Sequence, residues 1–144
     1  MKSFFYRPVA LLTLALVLLP LPVRAESITL ASPGKQFSIS FSTGDDDRPT
    51  YSVRWKGREI IAPSGLGFLL GGEINWSSGF ESITAIERSE SDSTWKPVWG
   101  ERASIPDRYR SVTVLYRRQN PPAEIKIEAR AYDEGVAFRY IIES

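Results

Sequence analysis

Two tryptophans in an irregular segment are the side chains of this sequence best suited to bind a ligand. Trp95 and Trp99 are two of the four tryptophans of the chain, and Lys96, Gly100 and Glu101 stand beside them. An indole ring can stack on the apolar face of a pyranose, and a carboxylate can accept hydrogen bonds from sugar hydroxyls. The same pattern is typical of aromatic side chains that plug the end of a small β core or pack against a partner.

The segment from Asp92 to Arg110 has neither a helical nor a strand period, because prolines and a glycine interrupt both templates. This favours a loop that presents a surface. For Glu101, an ion pair with Arg102 or Arg108 is an alternative to sugar binding. The candidate binding or interface residues are Trp95, Lys96, Trp99, Gly100, Glu101 and Tyr109.

The composition excludes several chemistries. The chain has 144 residues, a net charge of +1, no histidine and no cysteine. Serine–histidine or cysteine–histidine catalysis, disulfides and thiolate metal sites are therefore absent. The near-zero charge gives no electrostatic basis for binding nucleic acid. The Asp45–Asp47 run lacks the alternating spacing of a calcium loop, so we interpret it as a solvated turn.

The N-terminus has the features of a signal peptide. An apolar run at residues 9–19 follows a positively charged start, and Val23 and Ala25 fit the −3 and −1 positions of a cleavage site. The run is too short to span a bilayer, which needs roughly 20 apolar residues. We expect cleavage before Glu26, no membrane association afterwards, and a periplasmic or secreted protein. A retained membrane anchor is the alternative.

Short alternating apolar runs dominate the rest of the chain and predict an antiparallel β-sandwich over residues 26–144. The predicted strands lie at Phe37–Phe41, Tyr51–Trp55, Ile60–Ile61, Leu66–Leu70, Phe80–Glu90, Val112–Tyr116, Ile125–Ala131 and Val136–Ile142. Residues 62–65 are expected to break the strand that follows Trp55, since they contain a proline and a glycine.

Several short motifs, in this order, resemble the N-terminal domain of glycoside hydrolase family 97. They are Ser32–Lys35, Tyr51–Val53, Ile61–Ser64, Leu66–Gly67, Trp95–Glu101, Tyr109 and Tyr132–Tyr140. The resemblance implies an exported, exo-acting enzyme on α-linked glucosides or galactosides. In that family a large, supersandwich-like N-terminal domain packs on a (β/α)₈ barrel, which a small β domain follows.

The resemblance assigns no catalytic residue and no metal ligand to this chain. The family's catalytic carboxylates lie on the barrel, and its calcium-binding glutamate from the N-terminal domain falls beyond Ser144. We therefore expect an incomplete N-terminal domain at residues 26–144, with the barrel absent and the chain not catalytic alone. The acidic residues agree, since most lie on polar faces or in turns, whereas glycoside hydrolysis needs two carboxylates about 5 to 9 Å apart.

Three hypotheses follow. The first is the non-catalytic sandwich of an exported family 97 glycoside hydrolase, with the catalytic barrel as partner, in which Trp95 and Trp99 pack at the interface. The second is a free-standing carbohydrate-binding sandwich that binds an α-linked oligosaccharide. The third is a membrane-tethered structural domain, if the signal is not cleaved.

Overall fold

The computed structural model describes residues 26–68, 75–101 and 103–142, which fold into two antiparallel β-sheets. The strands are β1 (Ser27–Ala31), β2 (Phe37–Thr43), β3 (Pro49–Trp55), β4 (Arg58–Gly65), β5 (Ser82–Trp95), β6 (Ile105–Arg118), β7 (Ala123–Tyr132) and β8 (Gly135–Ile141). A single 3₁₀ turn at Asp45–Asp47 links β2 to β3. Within the described ranges, no helix is long and apolar enough to cross a bilayer. Residues 1–25, where the sequence predicts a signal peptide, lie outside them.

Each sheet is a meander in which neighbours in sequence are neighbours in space. Sheet A has the order β1-β2-β3-β4, and sheet B has the order β5-β6-β7-β8. Strands β1 and β2 contact strands of sheet B across the sandwich. The predicted antiparallel β-sandwich is therefore confirmed.

The core lies between the apolar faces of the two sheets. In β2, Ile39 and Phe41 are fully buried, while the serines between them lie on the other face, because successive side chains of a strand point to opposite sides. The buried apolar cluster of the core consists of Ile28, Leu30, Ile39, Phe41, Val53, Leu66, Phe80, Ile83, Val112, Val114, Tyr116, Ala123, Ile125, Ile127, Ala129 and Ala131.

One buried hydroxyl joins the two layers. Tyr116 of sheet B donates its hydroxyl proton to the backbone carbonyls of Thr50, at 3.1 Å, and Ser42, at 3.3 Å, in sheet A. Burial, and then the nearby Tyr140, raise the pKa of the Tyr116 phenol. The ring therefore stays neutral and fixes the separation of the sheets at this point.

A second link joins the β1–β2 turn to the β7–β8 turn. Asp133 accepts a hydrogen bond from the backbone N–H of Gly34 at 2.7 Å. A Cβ atom at position 34 would lie 2.7 Å from a carboxylate oxygen of Asp133, so the turn needs glycine for this approach. A hydrogen bond from Ser32, and then the Gly34 N–H, lower the pKa of Asp133. Two motifs of the family resemblance thus meet in space.

Two strand predictions differ from the structure. β4 continues through residues 62–65, where a break was predicted. It tolerates Pro63 because it is the edge strand of sheet A, where half of the backbone groups need no partner within the sheet. Leu66 and Phe68 follow β4 outside any strand, and Leu70 falls outside the described residues.

Candidate functional site

β5 and β6 are the longest of the described strands, at 14 residues each. They pair with each other as far as Trp95 opposite Ile105, whereas the pairing of β6 with β7 ends at Arg110 opposite Ala131. Residues 91–95 and 105–109 therefore form a two-stranded ribbon that projects beyond the sandwich. We call it the β5–β6 ribbon. Its tip consists of Trp95, where β5 ends, and the described connecting residues 96–101, 103 and 104.

The prediction of a loop across Asp92–Arg110 is wrong for both arms of this ribbon. Each arm is regular strand, and the irregular part is confined to the tip. Pro106 is tolerated because β6 has β5 as a neighbour here but no longer β7, so half of its backbone groups require no ladder partner.

The tip exposes large apolar side chains. Trp95 is 52% exposed, Val98 98% and Trp99 90%. The core is closed without them, so the interpretation of these tryptophans as a plug for the β core is wrong. The physical reason is the length of β5 and β6, which places both rings past the end of the opposing sheet. Lys96, Gly100 and Glu101 are also exposed at the tip.

The outer face of the ribbon, turned away from the core, is aromatic. Alternation along the strands places Trp95, Ile105 and Tyr109 on this face. Tyr109 packs against Tyr132 of β7, with ring centroids 5.2 Å apart, and the guanidinium carbon of Arg130 lies 4.5 Å from the Tyr109 ring centroid. The structure thus brings Trp95 and Tyr109, separate candidates in the sequence, onto one face.

The opposite face of the ribbon is charged. Arg110 pairs with Glu90 at 3.1 Å, and Arg108 pairs with Asp92 at 3.6 Å. Both pairs are exposed, so each stabilises the ribbon by about 1 kcal/mol at most. Among the described residues Arg108 pairs with Asp92 and not with Glu101, so the suggested ion pair between Arg108 and Glu101 is not formed. Arg102, the other suggested partner, lies outside the described residues.

Across the described residues no group of three or more acidic side chains comes together as metal ligands would. The Asp45–Asp47 turn is exposed, as expected of a solvated loop.

A model of the family described as "Glycosyl-hydrolase 97 N-terminal" matches residues 30–144. The match spans most of the chain. This chain belongs to glycoside hydrolase family 97. Its sequence corresponds to the N-terminal domain of that family, as the motifs indicate.

Relatives of this family 97 domain are much longer proteins. A retaining alpha-galactosidase from Bacteroides thetaiotaomicron is 26% identical over 126 residues, which are 87% of this chain and 18% of the relative. A family 97 enzyme from Pseudoalteromonas sp. strain K8, solved in complex with acarbose, has a TM-score of 0.73 and 31% identity, over 78% of this chain and 17% of the enzyme. A beta-arabinopyranosidase at 18% identity and a TM-score of 0.67 shows the same fold.

The structure also brings together four residues that the sequence did not single out as site candidates. Glu128, Arg130, Tyr132 and Arg139 extend the aromatic face of the ribbon across β7 and β8. Their alternation with buried alanines and isoleucines placed them on the polar side of predicted strands. That signal assigns a face but does not distinguish a docking surface from ordinary solvated side chains.

Proposed function

We propose that this chain is the non-catalytic N-terminal sandwich of an exported family 97 glycoside hydrolase, and that the β5–β6 ribbon docks it onto the catalytic (β/α)₈ barrel. The observation behind the proposal is the cluster of exposed apolar side chains at the tip, Trp95, Val98 and Trp99. They lie on a regular ribbon that the core of the sandwich does not need.

The energetics favour docking. Burying one large apolar side chain at an interface stabilises the complex by roughly 1.5 to 3 kcal/mol relative to leaving it in water. Interface centres are rich in tryptophan, tyrosine and arginine. The outer face of the ribbon has Trp95 and Tyr109, and Arg130 of β7 stacks on Tyr109.

Sugar binding at the tip is supported less well. A sugar site combines an aromatic ring with a few polar groups at fixed positions. Here Val98, 98% exposed, stands between the tryptophans and offers no side-chain hydrogen bond. An aliphatic side chain at that point suits a dry protein interface better than a hydroxylated ligand.

The substrate class belongs to the proposal as well. The chain spans less than a fifth of its relatives' length. We infer that the whole enzyme acts on an α-linked glucoside or galactoside. Support comes from the activity named for the Bacteroides relative and from the acarbose bound to the Pseudoalteromonas enzyme.

The test compares the full chain alone with an exchange protein. In the exchange protein, this chain replaces the matching segment of the Pseudoalteromonas enzyme. Hydroxyl-radical footprinting, at a protein concentration low enough to keep the chain alone monomeric, should show Trp99 oxidised readily in that chain and protected in the exchange protein. Trp55 is the matched control, because it is an exposed tryptophan at 44% on sheet A, and its oxidation should not change.

The carbohydrate-binding hypothesis predicts a different result. A monomeric chain whose tryptophan fluorescence is quenched saturably by maltose or an α-galactoside, with the quenching lost in Trp99→Ala but kept in Trp55→Ala, would overturn docking. Under the docking proposal the chain alone self-associates as its concentration rises, and Trp99→Ala reduces that association.

A further inference from the structure

The outer face of sheet B has a second feature beyond the ribbon, a pair of arginines held by one carboxylate. Glu128 on β7 pairs with Arg139 on β8. It accepts a hydrogen bond from Nε of Arg139 at 2.7 Å, and from Nε and Nη2 of Arg130 at 3.1 Å each. The Glu128 side chain is 17% exposed, whereas that of Arg139 is 71% exposed. Two guanidinium groups against one carboxylate leave one positive charge in excess.

This arrangement orients the Arg139 guanidinium and leaves some of its N–H donors available to a ligand. Hydrogen bonds from Arg139, and then from Arg130, lower the pKa of Glu128, so the carboxylate stays ionised and holds both guanidinium planes. A guanidinium has five N–H donors in a fixed fork. Arg139 gives Nε and Nη2 to Glu128, and its exposure leaves the rest of the fork open to a second carboxylate.

The arginine pair is continuous with the ribbon. Arg130 bonds Glu128 on one side and stacks on Tyr109 on the other, 4.5 Å from the ring centroid. Tyr109 in turn contacts Tyr132, whose hydroxyl donates to Oδ1 of Asp107 at 3.3 Å. One surface thus runs along the outer face of sheet B, aromatic at the tip of the ribbon and positively charged at β8.

Fold stability alone does not require this cluster. Exposed ion pairs contribute about 0 to 1 kcal/mol, and the core closes on the other face of the sheet. An exposed arginine pair that a partly buried carboxylate holds in place is instead suited to bidentate binding of a second carboxylate, and such a contact gains strength when water is excluded.

We infer that Arg139, together with Arg130, binds an aspartate or glutamate of the catalytic domain. The docking surface then extends from the tip of the ribbon to the edge strand β8. The inference rests on the proposed function and adds to it the position and chemistry of a second contact. The occupant follows from the excess positive charge, from continuity with the aromatic face, and from the more than four-fifths of each relative's length that lies outside the matched segment.

The experiment measures the reactivity of single arginines in the full chain and in the exchange protein. Phenylglyoxal modification, read by mass spectrometry, should be fast at Arg139 in the chain alone and strongly slowed in the exchange protein. Arg54 is the control, since it is exposed on the outer face of sheet A, and its rate should not change. Trp99 oxidation is followed in the same samples.

A variant pair then tests the role of the charge. Arg139→Gln in the exchange protein should raise the reactivity of Trp99, which reports undocking, by about tenfold or more, because losing one partner of a buried charge pair weakens an interface strongly. Arg139→Lys should give a Trp99 reactivity between those of the unmodified exchange protein and Arg139→Gln, since lysine keeps the charge but lacks the planar set of N–H donors. Arg54→Gln should have no effect, and all three variants should leave the melting temperature of the chain alone nearly unchanged.

The outcomes separate the two proposals. Protection of both Trp99 and Arg139 supports both. Protection of Trp99 with full reactivity at Arg139 overturns the arginine contact and leaves ribbon docking intact. Full reactivity at both sites overturns both. Protection of Arg139 in the chain alone, growing with concentration, would identify a second copy as the occupant and overturn the inference.

Discussion

Replacing Tyr116 by phenylalanine removes the hydroxyl that joins the two sheets and changes little else. The phenol donates to the carbonyl of Thr50 at 3.1 Å and more weakly to that of Ser42 at 3.3 Å. Ser42 also accepts a hydrogen bond from the Thr50 hydroxyl at 3.0 Å, so its carbonyl keeps a partner in the variant. The main loss is therefore one buried hydrogen bond.

The expected cost is small but measurable. A hydrogen bond contributes about 0.5 to 1.5 kcal/mol net, and a buried acceptor left without a donor adds to that loss. We expect Tyr116→Phe to lower the free energy of unfolding by about 1 to 2 kcal/mol at neutral pH. For a domain near 100 residues, each kcal/mol shifts the melting temperature by roughly 4 to 8 °C.

The pH dependence gives a sharper signature. Burial raises the pKa of Tyr116 in the folded protein above the ordinary value of 10.0, so this group stabilises the fold below pH 10 and that stability is lost as the pH rises further. Above pH 10 this phenol lowers the free energy of unfolding of the wild type by about 1.4 kcal/mol per pH unit. Tyr116→Phe lacks that loss, so the two stabilities should converge near pH 11.

Urea denaturation at several pH values, followed by tryptophan fluorescence, measures both effects. Tyr51→Phe is the matched control. Tyr51 contacts Phe138 at 5.1 Å between ring centroids, and its hydroxyl has no hydrogen-bond partner among the described residues. Equal stability losses in the two variants at pH 7, or a gap that stays constant from pH 9 to 11, would refute the reasoning.

Three further results are expected. Asp133→Asn should flatten the acid limb of the stability curve in urea titrations. The hydrogen bonds from Ser32 and Gly34 lower the pKa of Asp133 in the folded protein. Its contribution to stability is therefore present above the unfolded pKa and is lost as the pH falls through the folded pKa. An acid limb that Asp133→Asn leaves unchanged would contradict this. Mass spectrometry of the exported protein should find Glu26 as the first residue, and a mature chain that retains residues 11–19 would count against a signal peptide. The purified chain should hydrolyse no nitrophenyl α-glucoside or α-galactoside, with or without calcium, and turnover abolished by mutating this chain would disprove a non-catalytic role.

The fold could be predicted from the sequence where one face of a strand is buried. Ile39 and Phe41 in β2 alternate with serines, and Ile125 and Ile127 in β7 alternate with charged residues, so the period of two was visible. β4 gave a misleading signal because it is an edge strand with most of its residues exposed. A strand without a buried face has no hydrophobic alternation, so the local pattern wrongly predicts that β4 ends before Pro63.

The site was predicted in part. The sequence located Trp95 and Trp99 as an exposed surface or a core plug, and their exposure decides against the plug. It missed the regular ribbon that supports them, because residues 91–95 and 105–109 contribute no fully buried side chain and Pro106 interrupts the strand pattern. Arg139 was missed for another reason: its pairing with Glu128 depends on the register of β7 with β8, which local patterns do not fix.

The ribbon itself supports a docking role. A two-stranded hairpin is marginally stable in water without a third strand or a covering layer, and the ion pairs on its charged face contribute little. On its aromatic face, Tyr109 gains support from Tyr132 and Arg130 near the base, whereas Trp95 and Trp99 lie beyond their reach. The ribbon is thus anchored by the sandwich at one end and exposes its largest apolar side chains at the other. Under the docking proposal the catalytic barrel supplies the missing layer there, and the stability of the ribbon becomes linked to the joining of the two domains.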